Sequence, residues 1–454
     1  MRFGISGHLA IAAIGLMAIS THAASWNYVI LDTDCAAQGV YNGQIVGSTR
    51  VDSRGNPTAT THACMWTGTS ASFLDLNPCG STYSNAWGVF NGQQVGCVEY
   101  GGTLYACVWN GAPASCANLN PNCVFSSVAF TACNGQQVGI SLNPGAQHAC
   151  LWNNSSASFV DLNPSGATMS EAYGVCNGQQ VGMSLSAGGQ HACLWHGSSS
   201  SVVDLSPLSS DAAAWALFNG QQVGYELVPT GWHAALWTGT SSSFVDLNPS
   251  GATSSHAQSV FNGRQVGYAS IEGNNHACLW NGTSAGFTDL HAVLQPGYSS
   301  SQANGVYVNN SQTWVVGEAI NSTSGLPDAI LWISSMGVSG NVTLQGYIGS
   351  PAGIPVTIEI RDSAGTVLEI HPISLAYGSN FNFAVFNPLL TGNYSAVAKA
   401  PCWLAKSMPL TLDSNQNGSV NFILPAGDVN GDNFVEDQDY SLMGLNWYQS
   451  GDDF

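Results

Sequence analysis

The motif His-Ala-Cys-Leu-Trp recurs down this chain at nearly constant spacing, and that period limits what the chain can fold into. Its tryptophans are Trp66, Trp109, Trp152, Trp195, Trp237, Trp280 and Trp332, separated by 43, 43, 43, 42, 43 and 52 residues. A second marker, Gln-x-Val-Gly in five copies, Arg-Gln-Val-Gly in the sixth and Trp-Val-Val-Gly in the seventh, ends at Gly47, Gly96, Gly139, Gly182, Gly224, Gly267 and Gly317. Two markers found seven times each mean seven copies of one unit. A repeat of forty-odd residues holding four strands is the signature of a β-propeller blade.

One copy shows how a blade is built. Ala172 to Cys176 reads as a first strand, and Asn177-Gly178 as a two-residue hairpin whose central positions need φ > 0. Gln179 to Met183 returns as the second strand, His191 to Trp195 is the third, and Ser201 to Leu205 the fourth. The segment Trp26 to Asp32 resembles a fourth strand lacking its first three, and Asp328 to Trp332 a third strand lacking its fourth. The two should pair, with Tyr28 to Leu31 against the strand ending at Trp332. This would close the ring and bury two strand edges.

Composition narrows the context. Of 454 residues only 7% are charged, and the formal net charge is −19 with seven Lys plus Arg. With no basic stripe to release counterions, a nucleic-acid partner is excluded. Arg2, the apolar run Leu9 to Ile19 and the small residues of Thr21-His22-Ala23 form a secretory signal over residues 1–24, with a core too short to span a bilayer. The expectation is a secreted or surface-exposed protein with no membrane insertion, and a monomer.

The thirteen cysteines follow the repeat. Cys64, Cys107, Cys150, Cys193 and Cys278 share a slot with Ala235 and Ile330, and Cys133 and Cys176 share one with Tyr41, Phe90, Phe218 and Phe261. Both sets should be small core hydrophobes. Equivalent positions in neighbouring blades are expected beyond the roughly 7 Å Cα limit for bridging. This leaves Cys79, Cys116 and Cys123 as the candidates for pairing.

The repeats over roughly residues 26–336 resemble the HAF family of extracellular repeats, with His-Ala-Cys in place of His-Ala-Phe. The resemblance implies a secreted or surface protein and no particular chemistry. Beyond Met336 the pattern changes. Val356 to Asp362 and Tyr394 to Ala400 alternate, as expected of a small β-sandwich over residues 337–426. This segment looks like the carboxypeptidase-regulatory or prealbumin-like spacers of secreted bacterial proteins.

The last segment, 427–454, carries the sharpest chemical motif. Asp428, Asn430, Asp432, Glu436 and Asp439 place side-chain oxygens at the spacing of a calcium loop, and Phe434 would add its backbone carbonyl. Tyr440 to Trp447 reads as a helix with Leu442, Leu445 and Trp447 to pack. The loop is similar to one half of a type I dockerin, with Asn433 where Gly is usual. A dockerin has two such loops and this chain has one, so Ca²⁺ is the expected cofactor and a cohesin-type partner is not.

The repeated Asp75, Asp161, Asp204, Asp246 and Asp289 read as turn or cap residues, and the repeated His62, His148, His191, His233 and His276 as one structural hydrogen bond per blade. Trp87, Phe130, Tyr173 and Trp215 fill one first-strand slot and read as inter-blade packing, although such rows can also stack on sugars. Residues that break the repeat gather on one face. The long loop of the first blade carries Arg50, Asp52 and Arg54, and the long entry to the seventh carries His291 and Tyr298. Glu99, Tyr100, Glu226, Trp232, Glu272 and Glu318 lie in loops of the same face, which is the candidate ligand-binding surface. The leading expectation is a non-enzymatic binding or surface-structural propeller for a glycan or protein ligand. The alternatives are an extracellular polysaccharide-active enzyme, a glycoside hydrolase or lyase, and a scaffold component attached through the tail.

Overall fold

The computed structural model describes residues 26–51, 57–143, 145–207, 209–294, 296–309, 312–335, 338–347, 353–375, 380–383, 392–412, 418–436 and 439. The expected leader (1–24), Asp52, Arg54 and the expected tail helix lie outside the described residues. The chain divides into two compact units, Trp26–Met336 and the residues from Gly337 onward.

The first unit is an all-β propeller of seven four-stranded antiparallel sheets. Blade four is typical, with strands Met169–Cys176, Gln179–Ser186, Gly189–Trp195 and Val203–Asp204. In blade seven, Tyr298–Val308, Gln312–Asn321 and Pro327–Ser335 are completed by the N-terminal strand Trp26–Thr33, with Tyr28 opposite Trp332. The Asn-Gly turns of blades one to six have both residues at positive φ, for example Asn177 at 50° and Gly178 at 79°. All seven repeat tryptophans are fully buried.

The fourth strands are shorter than expected. In blades one to six only two residues pair, as Val203–Asp204 does, and a single 3-10 turn precedes them. In all six an Asp or Asn ends the strand with its Oδ1 accepting from the backbone N–H two residues on, as Asn118 does in blade two, and in the other five that Asp also meets a His. Asp204 Oδ2 meets His191 Nδ1 at 2.6 Å, while its Oδ1 accepts from the Ser206 backbone N–H at 2.9 Å. The same pairing joins His62 to Asp75, His148 to Asp161, His233 to Asp246 and His276 to Asp289. Each carboxylate turns the chain out of the sheet immediately after two residues.

Both sequence markers have a mechanical explanation. In every blade the first strand carries a β-bulge one residue after a buried Ala, as at Tyr173 between Ala172 and Gly174. The bulge pulls the preceding carbonyl across the second strand. A Cβ on Gly182 would lie 1.8 Å from Glu171 O, and the equivalent glycines of the other blades are as tightly placed. Only glycine fits there. The buried second Gln of the marker ties two hairpins: Gln180 Nε2 donates to Gly178 O at 3.0 Å, and its Oε1 accepts from Gly197 N–H at 2.7 Å.

The cysteines of both slots are buried free thiols, as expected, but the expected separation between neighbouring blades fails for one slot. Cys64, Cys107, Cys150, Cys193 and Cys278 are buried free thiols on third strands, with Cys116 hydrogen-bonded beside Cys107. Cys133 and Cys176, however, sit 3.2 Å apart, sulfur to sulfur, across blades three and four. Equal spacing of blades was the wrong premise. First strands contact one another around the central channel, where blades converge.

In the second unit, Val338–Leu344 pairs in parallel with Gly418–Leu424 and antiparallel with Asn380–Phe383. A four-stranded sheet is built from Val367–Ser374, Pro355–Arg361, Gly392–Lys399 and Lys406–Leu412. One core holds Val342, Ile358, Ala396, Leu410 and Phe422 from both sheets, a sandwich-like arrangement. Among the described residues, no helix is long and apolar enough to cross a membrane.

Candidate active site at the channel mouth

The bulge gives each blade one residue that pairs with nothing in its ladder and is free to be re-aimed. Around the ring these are Gln38, Trp87, Phe130, Tyr173, Trp215, Gln258 and Asn304, all half-buried. They divide the channel into an aromatic arc, blades two to five, and an amide arc, blades six, seven and one. The aromatic rings touch in sequence: Trp87 to Phe130 at 6.2 Å, Phe130 to Tyr173 at 5.6 Å, and Tyr173 stacked on Trp215 at 4.7 Å. The row therefore packs between blades as expected, and its end members Trp87 and Trp215 also line the channel together with Gln38, Gln258 and Asn304.

Two residues earlier along each first strand, towards the loop face, the slot reads Ala36, Asn85, Val128, Glu171, Ala213, His256 and Gln302. This layer does not repeat. Glu171 accepts a hydrogen bond from Tyr173 Oη–H at 2.5 Å through Oε2, and Gln147 Nε2 donates to its other oxygen. In the next blade three donors converge on Asp211. Trp232 Nε1–H reaches Oδ2 at 2.9 Å, while Tyr225 Oη–H at 3.1 Å and Gln190 Nε2 at 3.3 Å reach Oδ1. Gln190 also donates to Tyr225 Oη at 2.8 Å. The Trp215 ring lies 6.5 Å from Tyr225 and joins the two carboxylate environments through Tyr173. In blade six His256 lies 4.6 Å from the Tyr225 ring and stacks on Tyr268 at 5.0 Å.

Burial sets the electrostatics of this mouth. It pushes the Tyr225 phenol up to about 12, with the Asp211 charge adding to the effect, so the phenol stays protonated and can donate. It lowers His256 from 6.5 to about 4, against the opposing pull of Asp211. Below 6.5 an unfolded His takes a proton that folded His256 refuses until about 4. The stabilisation is thus complete above about pH 6.5 and is lost as pH falls towards 4. We expect a loss of ~3 kcal/mol across that window. His256→Gln should remove this share of the slope, read from urea midpoints at about pH 7 and about pH 4.5. Equal slopes in the two proteins would contradict it.

Of the sequence candidates, only Trp232 enters this site, through Asp211. Arg50 is an exposed residue of the first blade's second strand. Glu99 and Tyr100 end the second strand of blade two, with Tyr100 6.4 Å from Tyr105. Glu226 pairs with His233 in the ladder, and burial raises its carboxyl. Glu272 forms a tight turn with Gly273, at φ 51°. His291 packs on His276 at 4.3 Å and meets Ser301 Oγ at 2.9 Å, and Tyr298 donates to Asp328 at 3.0 Å. Glu318 accepts from Gln302 at 2.7 Å, and burial raises its carboxyl too. These residues are spread over blades one, two, five, six and seven. The sequence reading missed Glu171, Asp211, Tyr225, His256 and Tyr268. The signal that marks Glu171 and His256 is a first-strand slot that does not repeat from blade to blade, and Tyr225 and Tyr268 share the slot after the marker glycine.

No family model matches the chain, and no curated protein matches it in sequence. Solved structures similar to it include a puromycin hydrolase, at 10% identity over 65% of this chain and 53% of that one, TM-score 0.45. Another is the β-propeller domain of the Trilobed protease from Pyrococcus furiosus, at 7% identity over 66% and 93%, TM-score 0.44. A third is the Pyrococcus horikoshii acylaminoacyl peptidase, at 9% identity over 68% and 54%, TM-score 0.43. The chain spans about half the length of the first and third. The expectation of a non-enzymatic module finds no counterpart among them, since these propellers are parts of enzymes. At such identities the likeness is one of fold and names no substrate.

Proposed function

We propose that the chain is an extracellular polysaccharide-active enzyme, a glycoside hydrolase acting on neutral glycan at the channel mouth. The observation that carries this reading is the pair of non-repeating carboxylates, Glu171 and Asp211. They sit in adjacent blades beside the Tyr173–Trp215 stack. Hydrolysis of a glycosidic bond needs two carboxyl groups, one to protonate the leaving oxygen and one to act as base or nucleophile. Asp211, at the focus of three donors, suits the second role. Glu171, against Tyr173, suits the first. Stacked aromatic rings offer a flat apolar surface to a sugar face, and the net charge of −19 disfavours polyanionic substrates. The channel cavity, about 160 Å³, runs from Trp87 and Trp215 down to Tyr41 and Phe261, and neither Glu171 nor Asp211 lines it. A glycan would therefore lie across the mouth rather than thread the ring.

The test is release of new reducing ends from a panel of neutral polysaccharides, compared between wild type and Asp211→Asn. Release by the wild type alone supports the reading. No release from any member, or equal release by both, contradicts it.

The leader implies export, and the 428–439 loop would serve as a calcium-stabilised tail. Its donor set is hard oxygen, which suits Ca²⁺. The loop already folds around its carboxylates. Asp428 accepts from Gly431 and Asn433 N–H at 2.8 and 3.0 Å, and Asp439 from Val429, Asn430 and Glu436 N–H. Asn433 takes a φ of 72°. Lys399 Nζ donates to Asp428 Oδ2, so an ammonium stands where a cation would. Among the described residues no three acidic, His or Cys side chains are arranged to hold a metal. Calcium must therefore displace Lys399. Calorimetry of the full chain should show modest calcium binding that Lys399→Met strengthens and that Asp428→Ala with Asp439→Ala abolishes. Heat that none of these changes alters would contradict the site.

A further inference from the structure

We propose that Cys133 and Cys176 form a disulfide that staples blades three and four at the floor of the channel. The two residues end equivalent first strands, 43 positions apart. Their slot holds Tyr41, Phe90, Phe218, Phe261 and Tyr307 in the other blades. Those rings make a contiguous aromatic floor: Tyr41 touches Phe90, Phe261 and Tyr307, and Phe218 touches Phe261. Blades three and four lack such a ring and bring two thiols together instead. Cys133 Sγ–H donates to Cys176 Sγ at 3.2 Å. A covalent bond needs the sulfurs about 1 Å nearer, a shift that side-chain rotation supplies.

The backbones of these strands are already tied. Thr131 Oγ1–H, two residues before Cys133, donates to Tyr173 O at 2.7 Å. Among the third-strand cysteines, Cys107 also meets a thiol, Cys116 of its own blade. Each third-strand cysteine stands opposite the glycine of its own blade's second strand, as Cys193 does with Gly182.

The Cys176 thiolate attacks one sulfur of a low-molecular-weight disulfide. The S–S bond of that oxidant breaks, and the departing thiolate takes up the proton. Cys133, deprotonated in turn, attacks Cys176 Sγ, and the second small thiol leaves. Two protein thiols lose two electrons, and one small disulfide becomes two thiols. The folded pair is 3% and 4% exposed, so exchange takes place while the blades assemble.

The experiment refolds the reduced, denatured full chain in a buffer of reduced and oxidised glutathione, then digests it without reduction. The expected product is one cross-linked peptide pair carrying Cys133 and Cys176, lighter by two hydrogens, with Cys64, Cys107, Cys150, Cys193 and Cys278 recovered as free thiols. Protein made natively in an oxidising compartment should give the same map, so the test stands even where refolding fails. Cys176→Ser should free Cys133 for alkylation and leave the remaining cysteines unchanged. The oxidised wild type should melt several degrees above its reduced form, a difference absent in Cys176→Ser. Recovery of Cys133 and Cys176 as free thiols from folded, oxidised protein would overturn the proposal, as would either bridged to another cysteine.

Discussion

Asp211→Asn is expected to lower turnover on a neutral polysaccharide about 10²- to 10⁴-fold, the usual contribution of a positioned acid or base. Asn keeps the size of the side chain and one acceptor oxygen, so the Tyr225 contact to Oδ1 can persist, while the amide N–H₂ that replaces Oδ2 loses the bond from Trp232. What it removes is the negative charge that accepts a proton or attacks the sugar. KM should therefore change little while kcat falls, since the lost interaction belongs to the transition state. Glu171→Gln should act similarly, because Gln can still accept from Tyr173. Trp215→Ala should do the reverse. It takes away the stacking surface beside Tyr173 and should raise KM more than it lowers kcat. The pattern separates chemistry from binding, and equal effects from all three variants would point to a merely structural role.

Gly182→Ala is expected to be among the most damaging single substitutions in the propeller. The added methyl would stand 1.8 Å from Glu171 O and 2.9 Å from Ala172 Cα, both backbone atoms of the neighbouring strand. No side chain can move aside, so the two strands must part or the bulge must be lost. Overpacking of this kind costs about 3 kcal/mol or more. Gly178→Ala is the control. That glycine has φ +79° and nothing near its Cβ position, so the cost is only the left-handed backbone preference, about 1–2 kcal/mol. Urea midpoints should rank wild type, Gly178→Ala and Gly182→Ala in falling order. A Gly182→Ala protein as stable as Gly178→Ala would contradict the bulge account.

The ring was legible in the sequence because a blade is a repeated solution to one packing problem. Buried tryptophans, Asn-Gly turns and the His-Asp clamp recur wherever the same neighbours recur. The site was hard to read for the same reason. Searching the long loops favoured Arg50, His291 and Tyr298, whereas the chemistry lies in ordinary strands. Glu171 and His256 occupy a slot filled elsewhere by Ala36, Val128 and Ala213, and nothing in their own blade's spacing marks them. The bulge was also invisible, because alternation along Ala172 to Cys176 sets Tyr173 and Val175 on one face. In the structure Val175 belongs to the core, and Tyr173 reaches Glu171 at the mouth. Cys133 and Cys176 taught a matching lesson about radius. Blades that stand apart at their third strands meet at their first.

The most direct measurement of the central claim is a crystal structure of the Asp211→Asn protein soaked with a neutral oligosaccharide that the wild type cleaves. The account predicts a sugar ring against Tyr173 and Trp215, with the scissile oxygen within hydrogen-bonding reach of Glu171 and the altered Asp211 side chain on the opposite side of that bond. An oligosaccharide bound elsewhere on the propeller or on the C-terminal unit, with the channel mouth empty, would contradict it.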